Sequence, residues 1–455
     1  MSLIYTMIVI FVLGYLMIAM EHKVNVSKSS VALVLCCLLW AILSVFSSKI
    51  DPSLTHDVVS SDLLAALGST CEIIVFLIGA MTIVDIIDTH GGFEVITRHI
   101  TTRKKTRLMW LIAFLTFFMS SVLDNMTTTI IMVMLIRRML SNYKERWLFA
   151  SIIIIAANCG GAWSPIGDVT TIMLWMKGNV GTAKLMASLI LPCLVSVVIP
   201  TAVATRFLKG MIAQQQTNED ASFRPSYITG GESKTILILG VLLLVMVPVF
   251  KSVIGLPPYM SVMFALGILW LYTDLMYRRK HNVEESVKNR VSKVIKHIDM
   301  PTILFFLGIL MAVSALESAG ILGAMAEGLN KGMHNIYAIN TVIGLLSSVI
   351  DNVPLVAASM GMYPIPDAAA IAASADPAFL SHFVADGDFW HLLAYCAGTG
   401  GSILIIGSAA GVVAMGLENI NFMWYFKHIS LLALIGYLAG IGVFILQDLF
   451  IVPLL

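Results

Sequence analysis

The residues best suited to chemistry in this chain come as a pair of matching stretches, Ser120-Ser121-Val122-Leu123-Asp124-Asn125 and Ser347-Ser348-Val349-Ile350-Asp351-Asn352. Each stretch sets hydroxyl, carboxamide and carboxylate oxygens inside apolar sequence. Oxygen donors of this kind suit a hard cation such as Na⁺. A carboxylate adds what neutral oxygens lack, because it holds either a cation or a proton. Ionisable groups at membrane depth are costly and mark ion or proton pathways by default. Asp124 and Asp351 are therefore expected to couple a cation flux to a proton flux by competition for the same carboxylates.

Two further polar breaks interrupt apolar sequence, at 158–167 and 397–407. The first reads Asn158-Cys159-Gly160-Gly161-Ala162-Trp163-Ser164-Pro165-Ile166-Gly167-Asp168, with a new helix expected to start at Asp168. The second reads Gly398-Thr399-Gly400-Gly401-Ser402, with Gly407-Ser408 beyond it. Irregular backbone at membrane depth is tolerated only where it is buried in protein or lines a polar cavity. Gly160, Gly161, Pro165, Gly400 and Gly401 are thus expected to offer unwound carbonyls. Plainer roles stand beside these. Asp124, Asn125 and Asp168 suit helix N-caps. Thr127 to Thr129 suit helix packing, while Asp85, Asp88 and Glu317 fall near span ends. Glu72 lies inside a span with no evident partner.

Of the 455 residues, 58% are hydrophobic and 12% charged, and the mean hydropathy is +0.91. A soluble domain carries about 25% charged residues, so the composition indicates an all-α polytopic membrane protein. Its basic residues sit in short loops instead of on one face, which disfavours nucleic acid. Met1 to Met20 is apolar without a basic leader, so it is expected to be a first membrane helix. The six cysteines form no C-x-x-C pair, and neither zinc nor a disulfide framework is implied. The histidines, among them His22, His90, His99, His281, His297 and His428, form no i, i+4 pair. Gly398-x-Gly400 follows no strand, so a dinucleotide fold is excluded. No cofactor is expected.

Runs long enough to cross a hydrocarbon core of about 30 Å lie near 2–20, 29–47, 63–88, 184–207, 235–250, 258–277, 301–318 and 425–447. Between them, 107–141, 147–177, 336–363 and 389–416 are apolar at both ends and polar midway. Arg98, Arg103, Lys104, Lys105 and Arg107 precede 107–141, and Arg137, Arg138, Lys144 and Arg146 follow it. Positive loops stay cytoplasmic, so this segment is expected to be a re-entrant hairpin tipped by Asp124-Asn125. With 336–363 entering from the other side, 23 of the 28 Lys and Arg fall inside, leaving Lys49, Lys177, Lys184, Lys251 and Lys331 outside. The amino terminus is then outside, the loops 208–234 and 278–299 inside, and the acidic segment 364–388 outside.

The duplication extends further. Phe76, Gly79, Val84 and Gly91 recur as Phe305, Gly308, Val313 and Gly320 at a constant offset of 229, which pairs Asp88 with Glu317. Gly160, Gly161 and Gly167 recur as Gly400, Gly401 and Gly407 at an offset of 240. Under the charge-derived topology the halves run in opposite directions. Inverted repeats that meet at the midplane through broken helices are the architecture of secondary transporters. The chain is expected to be one transporter domain over 1–455, with repeats at 63–210 and 301–449 joined by cytoplasmic loops and connecting helices at 211–300.

At SSVLDN-MTTTIIM (120–132), NCGGAWSPIGD (158–168), SSVIDN-VPLVAA (347–358) and GTGGS (398–402), the sequence resembles the ion transporter superfamily, and within it the NhaD-type Na⁺/H⁺ antiporters. The resemblance covers roughly residues 60 to 450 and implies a scaffold and a transport subdomain, the latter built from two re-entrant hairpins and two broken helices. It implies a homodimer in the cytoplasmic (inner) membrane, working by an elevator-like or rocking step. By motif position it implies ligand duties for Asp124, Asn125, Asp351 and Asn352, and for Ser164, Asp168 and Thr399. Ser120, Ser121, Ser347, Ser348 and Asn158 complete the oxygen set expected for Na⁺. Carboxylate transporters of the same superfamily carry a neutral Ser-Asn-Thr motif at each hairpin tip. Two acids there disfavour an anion by repulsion.

The leading expectation is therefore a non-enzymatic exchanger of Na⁺, with Li⁺ as a further substrate, for H⁺. Its rival is a sodium- or proton-coupled transporter of a dicarboxylate or arsenite, which the lack of Arg or Lys in any break counts against. An intramembrane aspartyl protease would need Asp124 and Asp351 to share a proton, and no motif supports it.

Overall fold

In the computed structural model the described residues are 2–450 apart from 22–24, 53, 98, 99, 101, 103, 209, 212–224, 226, 281–283, 286, 287, 289 and 375. Arg98, Arg103, His22, His99 and His281 lie outside them. The chain is helical throughout, with no strand among the described residues. Its main helices are α1 (Ser2–Ala19), α2 (Lys28–Ile50), α3 (His56–Thr89), α4 (Lys105–Ser120), α5 (Asn125–Met139), α6 (Tyr143–Ala162), α7 (Val169–Met176), α8 (Thr182–Thr205) and α9 (Gly230–Ile254). There follow α10 (Pro258–Arg278), α11 (Met300–Ser318), α12 (Ile321–Met333), α13 (Ile336–Leu346), α14 (Asn352–Met362), α15 (Asp388–Gly400), α16 (Ala409–Glu418), α17 (Phe422–His428) and α18 (Ser430–Phe450).

Seven of these, α2, α3, α8, α9, α10, α11 and α18, are long and apolar enough to cross a membrane. Large apolar side chains such as Val45, Leu242, Val253 and Leu431 are exposed along them, as a hydrocarbon solvent requires and water would penalise. The chain is a multi-pass membrane protein. The span expected at 425–447 is divided, because the α17 turns end at Ile429 before α18 begins. The span expected from residue 63 starts at His56, where Thr55 caps the helix through the Val58 N–H.

Two groups of helices form the molecule. α2 packs on α1 and α11, α3 on α10 and α11, and α9 on α10. In the second group α6 touches α4, α5, α15 and α16, while α13 packs on α15 and α8 on α18. The groups meet where α14 rests on α11 and α7 on α3.

Glycine makes the second group this tight. A Cβ on Gly160 of α6 would fall on the Phe117 carbonyl of α4, and one on Gly400 of α15 on the Gly344 carbonyl of α13. The Gly400→Ala variant should therefore lose about 1–3 kcal/mol, the usual cost of overpacking. Its thermal unfolding midpoint in detergent should fall. Gly68→Ala, with nothing within 4 Å of its Cβ, should not lower it.

Candidate functional site

Eight helix ends converge inside the second group. α4, α6, α13 and α15 finish there, and α5, α7, α14 and α16 start there, across the turns 121–124, 163–168, 347–351 and 401–408. The same bond fixes each short turn to its neighbour: Ser120 Oγ donates to the Ala157 carbonyl (2.6 Å) and Ser347 Oγ to the Ala397 carbonyl (2.7 Å). The matching close contacts are Gly167 against the Ser120 carbonyl and Gly407 against the Ser347 carbonyl, where a Cβ would stand 2.6 and 2.8 Å away. Hence the recurrence of Gly167 as Gly407 is a packing requirement.

Asn158 is the hub. Asn125 Nδ2 donates to its Oδ1 (3.1 Å), and its own Nδ2 donates to Ser402 Oγ (2.9 Å) and Ser408 Oγ (2.8 Å). One side chain of α6 thereby joins two of the four turns, 121–124 and 401–408. The other two are joined to each other through a carboxylate, where Asn352 Nδ2 donates to Asp168 Oδ2 (3.0 Å). Asp168 is 2% exposed, against 6% for Asn125, 5% for Asn352 and 0% for Asn158. A buried acid and the amides converging beside it are what a desolvated cation needs.

A cavity of about 280 Å³ opens beside this network. It is lined by Asn125, Asp168, Asp351, Asn352 and Ser408 from the second group and by Tyr15, Glu21, Lys28, Asp299 and Phe306 from the first. Asp351 is half-buried. Its Oδ1 accepts the Val353 N–H (3.3 Å), and its Oδ2 lies 3.6 Å from Lys28 Nζ. Asp124 does not line the cavity. Both its oxygens are used locally, accepting the Thr127 N–H (2.8 Å) and Thr127 Oγ1 (2.6 Å). The matching acids thus stand in different surroundings.

The other sequence candidates divide. Ser121 and Ser348 donate to the carbonyls of Phe118 and Leu345 behind them, and Thr399 donates to Tyr395. Ser164 is buried in the turn with Pro165 and accepts the Ile166 N–H. Gly160, Gly161 and Gly400 correct the expectation of unwound carbonyls. α6 continues to Ala162 and α15 to Gly400, so the breaks begin later, at Trp163 and Gly401. These glycines admit a neighbouring backbone. Ser402 and Ser408, the partners of Asn158, were not among the expected ligands, although both stand in the quoted Gly-rich stretch. Lys28 carried no sequence signal.

The comparisons with known proteins agree with this architecture. The family model described as "Citrate transporter" matches residues 15–385. A protein named sodium/proton antiporter 2 from Arabidopsis thaliana is 41% identical over 96% of this chain and 97% of its own length. Sodium/proton antiporter 1 from the same plant is 43% identical over 96% of this chain and 72% of its own. The Na⁺/H⁺ antiporter NhaD of Alkalimonas amylolytica is 30% identical over 96% of this chain and 89% of its own. A membrane carrier, and no enzyme, is what this fold builds: the chain belongs to the citrate transporter family, among its NhaD-type members.

Proposed function

We propose that this chain exchanges Na⁺, and also Li⁺, for H⁺ across the cytoplasmic membrane, with Asp168 and Asp351 as the carboxylates over which the ions compete. One observation carries the reading: the buried Asp168 carboxylate takes a hydrogen bond from Asn352 of one Asp-Asn turn and shares its cavity with Asn125 of the other and with Asp351. The names of the relatives support the same exchange. Asp124, acting through Thr127, holds the start of α5 and thereby Asn125.

The paired serine bonds and glycine contacts support an inverted repeat. α4 and α5, like α13 and α14, then act as re-entrant hairpins, and the second helix group carries the site past the first. Counting Lys and Arg supports an amino terminus on the outer side. The cavity wall that holds Glu21, Lys28 and Asp299 is then cytoplasmic, and the conformation faces inward.

The test is proton flux in sealed vesicles on addition of NaCl. Because one carboxylate serves both ions, proton binding should act as competition. In the acidic limit the Na⁺ concentration for half-maximal flux should rise about tenfold per unit fall in pH for one competing proton. A half-maximal concentration independent of pH would refute shared carboxylates. Citrate-dependent uptake without Na⁺-dependent proton flux would favour the anion reading that the family's description suggests.

A further inference from the structure

Lys28 is the first residue of α2, a position where a basic side chain opposes the positive end of the helix dipole. It does not cap the helix, since Ser27 does that through the Ser29 N–H. Its ammonium turns into the cavity instead. Nζ lies 3.6 Å from Asp351 Oδ2 and 4.6 Å from the centre of the Phe305 ring, while the Lys28 backbone N–H donates to Glu21 Oε1 (3.0 Å). Among the described residues lining the cavity Lys28 is the one base, facing the acids Glu21, Asp168, Asp299 and Asp351. Asp299 is occupied by the Thr302 N–H and hydroxyl. The Lys28–Asp351 pair therefore bridges the two helix groups, and Tyr15 Oη adds a contact to the Asp351 carbonyl at 3.5 Å.

We propose that Lys28 is a tethered cation that holds the Asp351 turn against α2 while the site is empty. It releases that turn when Na⁺ or H⁺ takes over the Asp351 charge, so that only a loaded carrier changes conformation. The inference rests on the exchange reading above. An exchanger must keep its empty form from reorienting, or one ion runs downhill without the other. A lysine on one helix group and a carboxylate on the other meet that need, because ammonium and Na⁺ compete for one negative charge. With the two side chains 29% and 22% exposed, the pair is weak enough for ion binding to undo. Lys28 is in this sense a positioning residue, acting through Asp351.

Two fluxes in proteoliposomes separate this role from simple support. Exchange of radioactive sodium against sodium on the far side needs only the loaded carrier. Net sodium uptake into a sodium-free alkaline lumen, by carriers inserted with the cytoplasmic side inward, needs the empty carrier to leave the inward-facing conformation. The Lys28→Gln variant should raise the ratio of net uptake to sodium/sodium exchange by about fivefold, the factor a partly exposed pair can supply. Lys28→Arg should keep the ratio of the unmodified protein. An unchanged ratio in Lys28→Gln overturns the proposal. Should that variant fail to insert, the unmodified protein in detergent still decides. Acylation of Lys28 by a water-soluble amine reagent should be faster in NaCl than in choline chloride, and equal labelling overturns the proposal. Failure of the exchange reading has its own signature: no sodium/sodium exchange in the unmodified protein.

Discussion

Replacing Asp168 with Asn is expected to abolish sodium-dependent proton flux while leaving the fold intact. The substitution keeps side-chain volume and an oxygen that can still accept from Asn352 Nδ2, which now lies 3.0 Å from Oδ2. What it removes is the negative charge, at a residue 2% exposed. Truncating one member of a buried charged interaction typically costs 2–5 kcal/mol. Flux at a fixed low sodium concentration should therefore fall by at least about thirtyfold, the lower end of that range. The contrast with Asp124 makes the test specific. Asp124→Asn keeps a good N-cap for α5, and Asp124 does not line the cavity, so that variant should retain most of its exchange. Flux assays on both variants, normalised to protein inserted, decide between them. Loss in Asp124→Asn with retention in Asp168→Asn would reverse the assignment.

Why the acids rather than the hydroxyls should set selectivity follows from the helix ends. α5, α7, α14 and α16 all start at the centre, and helix N-termini carry partial positive charge that favours anions. Left bare, such an arrangement suits a carboxylate substrate. Here three of the four starts end in Asp124, Asp168 and Asp351, with Ser408 at the fourth. Three formal negative charges outweigh four half-charges that are partly shared with capping groups. On the proposed exchange, the same frame would turn from anion to cation binding by what stands at its N-caps.

Much of this was legible in the sequence. The paired Ser-Ser-x-x-Asp-Asn stretches marked both short turns. The exact breaks were less legible. Gly-Gly reads as unwound chain, yet Gly160 and Gly400 remain helical because a missing Cβ is also what lets two backbones touch. The rank of the acids could not be read either. Asp124 and Asp351 look alike in sequence, but three residues on stand Thr127 after the first and Pro354, with neither hydroxyl nor N–H, after the second. The hydroxyl of Thr127 occupies an oxygen that Asp351 keeps for Lys28. Asp168 looks like a helix cap, and only Asn352, 184 residues away, distinguishes it.

Asn158→Ala should be the most damaging neutral substitution in the site, lowering both stability and exchange. Every polar group of this amide is used: Oδ1 by Asn125, and Nδ2 by Ser402 and Ser408. Removing it leaves the buried Asn125 and Ser402 without those partners, at about 1–3 kcal/mol for a buried unsatisfied group. Ser408 retains a use, since it also caps α16 through the Gly411 N–H (3.2 Å). The loss should appear as a lower unfolding midpoint in detergent and a weaker dependence of that midpoint on NaCl, because bound Na⁺ stabilises the form that holds it. Asn158→Asp separates the two effects. It preserves the acceptor for Asn125 but loses both donors to Ser402 and Ser408, so the exchange it retains reports the share carried through Asn125 alone. If Asn158→Ala were to exchange normally, the amide would be a packing element only, and the cation would have to be held by Asp168 and Asp351 without the turn at 401–408.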